Sequence, residues 1–127
     1  MRIPRWGPVV ALLLAGCAAP ADPGARSATE LLSAALAAGD GSAACRELSA
    51  AARAQVASVT GRSCAEGVLE RLPDPGRARR AEVWGSQAQV RTSHDTVFLS
   101  HFAGGWKVVA AGCTPRPGQP YDCKVSG

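Results

Sequence analysis

No stretch of this sequence holds the roughly 18 uncharged apolar residues that a membrane-crossing helix needs. Aromatic residues make up only 5% and charged residues 19% of the 127 positions, and no heptad or Gly-X-Y repeat runs through them. These shortages exclude a coiled coil, a collagen-like fibre and a highly charged disordered chain. Catalytic signatures are missing too: there is no G-x-S-x-G, Walker loop, H-E-x-x-H or paired-carboxylate motif. A chain of this length makes one small domain, without room for a second core. Its molecular activity is not written in a motif.

What is present starts at the N-terminus. Arg2 and Arg5 form a positive region, and Val9, Val10, Ala11, Leu12, Leu13, Leu14 and Ala15 form a short apolar run. As a helix that run reaches only about 10 Å, a third of a hydrocarbon core, so it predicts a secretion signal and not an anchor helix. Leu14-Ala15-Gly16-Cys17 follows, and it resembles the lipobox of bacterial lipoproteins, in which the thiol is alkylated by diacylglycerol and the peptide is cut before the Cys. The resemblance implies lipidation of Cys17, with residues 1–16 removed. An ordinary signal peptide cut after an Ala-x-Ala-like site is the plainer alternative. Two or three acyl chains on one residue give stable attachment where one is marginal. The expected location is therefore the extracytoplasmic face of a cell membrane, held by a lipid anchor. Without Arg2 and Arg5, 12 of the 14 Lys+Arg remain against 10 Asp+Glu, a net charge of only +2, which gives no support to nucleic acid as a partner.

Setting Cys17 aside leaves Cys45, Cys64, Cys113 and Cys123, an even number suited to an oxidising compartment. Four thiols allow three pairings, and spacing alone does not choose among them. Local pairing, Cys45 with Cys64 and Cys113 with Cys123, is the expectation adopted. Zinc is the rival, but gaps of 18 and 9 residues contain no C-x-x-C, and neither pair has a neighbouring His, so no metal or other cofactor is expected. Bridges suit a chain with 25 Ala, whose core is thin in volume for its apolar count.

Along the chain, helices come first and strands second. Ala18 to Ala25 contains two Pro and a Gly, and residues 17–26 read as the lipidated Cys and a flexible tether. Ser27-Ala28-Thr29-Glu30 has the form of a capping box, and Leu31, Leu32, Ala35 and Leu36 repeat at helical spacing up to Gly39. A second helical stretch places Cys45, Leu48, Ala52, Val56 and Val59 on one stripe ending near Gly61. Were residues 45–59 one unbroken helix, its ends would lie about 21 Å apart, and Cys45 could hardly reach Cys64. The pairing therefore predicts two short helices with a break and new N-cap at Ser49. Ser63-Cys64-Ala65-Glu66 opens a further helix, stopped by Pro73-Asp74-Pro75-Gly76.

Beyond Gly76 the period changes to two. Ala81 and Val83, then Ala88, Val90 and Thr92, alternate with polar residues around a Gly85-Ser86 turn. Thr96 to Phe102 and Trp106 to Gly112 read as strands joined by Ala103-Gly104-Gly105, with a short last strand over Tyr121 to Val125 beyond a Pro-rich loop. The fold class read from this is α+β: N-terminal helices packed on one face of an antiparallel sheet of four or five strands.

Several segments together resemble a family. Gly39-Asp40, Ala44-Cys45, Leu48-Ser49, Cys64, Gly104-Gly105-Trp106-Lys107-Val108, Ala110-Ala111-Gly112-Cys113 and Pro120-Tyr121-Asp122-Cys123 resemble small high-GC, actinobacterial-type lipoproteins with an NTF2-like (cystatin-like) domain. The resemblance spans residues 27–127 and implies a curved sheet wrapped around helices, a cone enclosing a pocket. It carries over no catalytic residues.

NTF2-like relatives that are isomerases or dehydratases place an acid or base inside an apolar cavity, where burial brings its pKa toward the working pH. The candidates for such a role are His94, Asp95 and His101. His94-Asp95 falls at a strand start, where solvated turn residues are common. His101 alternates with Val97 and Leu99, which points it inward; a hydrogen-bonded or rim histidine is the plainer reading. Trp84 and Trp106 are candidates, with His101, to line a pocket, though core or sheet-face packing is the plainer reading. Arg71, Arg77, Arg79 and Arg80 form a basic cluster suited to anionic headgroups or simply to a solvated face, since Glu70, Asp74 and Glu82 are interleaved with it. Three functions follow as expectations. The leading one is a lipid-anchored, non-enzymatic binding or accessory domain, whose partner is an envelope protein or a small apolar ligand. The others are a small-molecule-processing enzyme of NTF2-like type and an envelope protein-interaction module.

Overall fold

The computed structural model describes residues 23–127 together with Pro4 and Gly7. Cys17 and the apolar run before it lie outside the described residues. Four helices precede five strands: α1 (Gly24–Ala37), α2 (Gly41–Glu47), α3 (Ala50–Thr60), α4 (Cys64–Arg71), β1 (Ala78–Trp84), β2 (Gln87–Thr92), β3 (Thr96–Phe102), β4 (Gly105–Arg116) and β5 (Gln119–Ser126). The architecture is α+β, with the helices packed against one open antiparallel sheet in the order β1-β2-β3-β4-β5. None of the described helices is long and apolar enough to cross a membrane.

The helix layer follows from its caps. Ser49 breaks the stretch from 41 to 60 into two helices: its hydroxyl accepts from Ala52 N at 3.1 Å, satisfying a donor that the first turn of α3 cannot pair internally. The same residue fastens the layer to the sheet, because Ser49 N donates to Val108 O at 2.8 Å and Ser49 Oγ donates to Gly127 O at 3.3 Å. Ser63 caps α4 in the same manner, accepting from Glu66 N at 3.3 Å. The turn at Ser49 lets Cys45 meet Cys64, with α-carbons 6.2 Å apart, and Cys113 bonds Cys123 directly across the β4–β5 ladder.

The first helix departs from the sequence-based expectation. It begins at Gly24, capped by Pro23, and Ser27 N donates to Pro23 O inside its first turn, so the Ser27–Glu30 motif is interior and caps nothing. Proline tolerates a helix start because its missing N–H would be unpaired there in any case. The buried stripe runs through Ala25, Ala28, Thr29, Leu32 and Ala35, and packing on that face leaves Leu31 57% exposed. Val59, placed on the buried stripe by its spacing, is likewise exposed near the end of α3.

The sheet is longer than expected at its C-terminal end. β4 runs on through Pro115 to Arg116, and the Pro-rich loop shrinks to a turn at Pro117-Gly118. Both outlying prolines are placed where no ladder donor is required: Pro115 stands at a register irregularity, and Pro120 lies on the edge strand β5. At the opposite edge Arg26 reaches from α1 to β1, donating to Ala78 O at 2.9 Å and Arg79 O at 3.4 Å. Two carbonyls of that edge are thereby covered.

The core lies between the layers. Leu32, Leu48, Val56, Val68 and Leu72 from the helical half meet Val90, Val97, Leu99, Val108 and Val125 of the sheet, all fully or almost fully buried. Each such side chain contributes about 1.5–3 kcal/mol on leaving water. Between them Ala25, Ala28, Ala44 and Ala52 keep the helices low on the sheet and fill its inner face.

Candidate functional site

The sequence candidates do not converge on an interior pocket. His101 keeps the alternation with Val97 and Leu99, but it stands near the end of β3 and is exposed, its ring edge-on to Trp106 with centroids 5.1 Å apart. Trp106 belongs to the buried core cluster, and Trp84 at the end of β1 is 57% exposed. The plainer readings of a rim histidine and of a packed tryptophan describe His101 and Trp106, and these residues line no interior pocket among the described residues. The helices occupy the ground between the sheet and its would-be cavity, and the depressions found among the described residues open on the surface.

One of these depressions brings His94 and Asp95 together with Arg91, Thr114, Pro115 and Tyr121 in a notch of about 340 Å³ beside Cys113. It is built on the β2–β3 turn. Thr92 closes that turn twice over: its hydroxyl donates to Asp95 O at 2.9 Å and accepts from Asp95 N at 3.0 Å. The segment entering β1 clamps the turn from outside, with His94 N donating to Pro75 O at 3.1 Å and Ser93 N to Arg77 O at 3.0 Å. Gly76 permits the clamp. Its φ is +80°, and a β-carbon on it would stand 2.9 Å from Ser93 Cβ.

The turn encloses one carboxylate oxygen. Asp95 Oδ2 is buried and has no hydrogen-bond partner. Burial raises the carboxyl's pKa above the ordinary aspartate value, and the charge of neighbouring His94 opposes part of that rise. Because this oxygen is shut away from solvent, a molecule resting in the notch does not touch it. The folded state therefore holds the Asp95 proton more tightly than the unfolded chain does. Its stability is greatest where the carboxyl is protonated and falls as pH rises through the folded pKa. Asp95→Asn, which cannot ionise, is expected to melt above wild type at pH 7 and to lose that advantage near pH 4. Thermal unfolding at the two pH values checks this; an equal difference at both would show that ionisation is not the cause.

A larger depression, about 640 Å³, lies between α1 and the approach to β1 and is lined by Arg26, Glu30 and Ser33 on one side and Gly76, Arg77 and Arg79 on the other. It divides the basic cluster of the sequence. Arg71 Nε donates to Lys124 O at 2.8 Å elsewhere, Arg80 pairs with Glu82 at 2.8 Å, and Arg77 and Arg79 join Arg26, a residue placed in the tether by its sequence context. A third depression of about 230 Å³ is mostly apolar, with Leu48, Ala50 and Phe102 in its wall. Among the described residues no cluster of three or more His, Cys, Asp or Glu is placed to hold a metal ion. No protein-family model, no curated protein and no solved structure matches the chain.

Proposed function

We propose that the chain is a lipid-anchored domain on the extracytoplasmic face of a cell membrane, where it serves as a non-enzymatic binding or accessory module with an NTF2-like architecture. The observation that carries this reading is the use of the cysteines. Cys45, Cys64, Cys113 and Cys123 are all consumed in two bridges, which suits an oxidising compartment, while the fifth, Cys17, follows a short apolar run in the sequence. Helices lying on one face of a strongly hydrogen-bonded antiparallel sheet agree with the architecture that the G-W-K-V and Y-D-C segments imply. The filled inner face favours surface recognition over chemistry inside a cavity.

Intact mass of the protein extracted from bacterial membranes tests the anchor. The expected species begins at Cys17, carries the mass of a diacylglyceryl group and contains two disulfides. An unacylated, fully reduced chain recovered from the cytosol would overturn the reading.

A further inference from the structure

From the groove between α1 and β1 we infer a docking surface for the anionic phosphates of the bilayer that holds the anchor. The inference rests on the lipid-anchor reading above and adds the face by which the domain lies on the membrane. Two independent observations lead to it, one of reach and one of charge.

Pro23 lies only six positions beyond Cys17, so even a fully extended connection spans about 20 Å. The first turns of α1, which carry Arg26 and Glu30, are thereby held within a few screening lengths of the headgroups. The groove is built on that end of the molecule, where an anchored domain has the least freedom to turn away.

The charge in the groove is unevenly spent. Its acidic neighbours are occupied from within: Asp74 Oδ1 accepts from Ser33 Oγ at 2.5 Å and from Gly76 N at 2.8 Å, and Glu30 faces Arg26 at 4.0 Å. Arg26 in turn is held against the Ala78 and Arg79 carbonyls. Arg77 and Arg79 have no ion-pair partner among the described residues, and both line the same depression. Two uncommitted guanidinium groups at the mouth of a groove, each able to take two phosphate oxygens at once, fit phosphodiester headgroups. Neutral headgroups present the same phosphate beside a compensating cation, so the surface favours anionic lipid.

The test uses the acylated full-length product in nanodiscs of phosphatidylcholine alone or mixed with phosphatidylglycerol. Intact mass is read first, and backbone amide exchange over residues 76–80 second. Exchange in that segment is expected to slow about five-fold in anionic discs, to recover in high salt, and to recover in the double variant Arg77→Glu/Arg79→Glu. Arg116→Glu, an exposed charge reversal at the far end of β4, leaves the slowing in place. Acylated protein with equal exchange in both discs overturns the docking surface and leaves the anchor standing. Slowing produced in neutral discs by inorganic phosphate assigns the groove to a soluble anion and overturns the bilayer as its ligand. A chain without acyl mass overturns both.

Discussion

Gly41→Ala is expected to cost about 3 kcal/mol or more, the largest single-residue loss in the protein that adds only one carbon. Gly41 is buried at the start of α2, where that helix crosses α4. A β-carbon there would fall inside the Ala65 carbonyl oxygen and 2.7 Å from its carbon. Both atoms belong to the main chain, so no side chain can swing aside, and the helices must separate instead. Separation withdraws Ala44 and Val68 from the core they share. Gly104→Ala is the matched control, since nothing lies within 4 Å of the added carbon and its φ is not positive. Urea denaturation of the two variants checks the contrast; a Gly41→Ala midpoint close to wild type would refute the close crossing of α2 and α4.

Replacing Cys45 and Cys64 together by alanine is expected to cost about 3 kcal/mol, because the unfolded chain regains the freedom of a loop with 18 residues inside it. For a domain of this size that is a large share of the net stability. The bridge carries more here than its partner does. Cys113 and Cys123 already oppose each other in a hydrogen-bonded ladder, whereas α2 and α4 share no such ladder and rely on the close approach of small residues such as Gly41 and Ala65. The Cys113/Cys123 double variant is therefore expected to retain the higher midpoint. Coupling with Gly41 sharpens the prediction: once Cys45 and Cys64 are unlinked the helices can move apart more easily, so the combined variant should lose less than the two losses added. Strict additivity would show that the bridge does not restrain the crossing.

The parts of the fold legible in the sequence are those where two constraints meet on one residue. Ser49 was marked both by its capping chemistry and by the reach demanded of Cys45, and it is the cap of α3. Ser63 combined a cap with a stop signal at Pro73, and α4 lies between them. Where a single local signal stands alone, tertiary context prevails. The Ser27–Glu30 box was a valid cap pattern, but burying Ala25 gave the longer helix more contact with the core. Strand alternation gave His101 the correct parity without revealing that the residue lies too near the strand end to be covered. Pro115 and Pro120 spell a loop in the sequence, because neither the register irregularity in β4 nor the edge position of β5 is written there. Of the candidate sites, the His94–Asp95 turn was visible as neighbours in sequence. Of the arginine groove, Arg77 and Arg79 stand in the basic cluster of the sequence, whereas Arg26, 51 positions before Arg77, joins them only through the fold.

The unbroken strand order has a last consequence. Each strand pairs with the one just made, and each bridge closes within a single contiguous stretch, one among the helices and one in the final hairpin. For a polypeptide that emerges amino end first, whether from a ribosome or through a narrow pore, each hairpin can close as soon as its second strand appears, and only the helices wait for the sheet that covers them. The first thiol pair can oxidise before the second has arrived, which leaves the scrambled isomers little time to form.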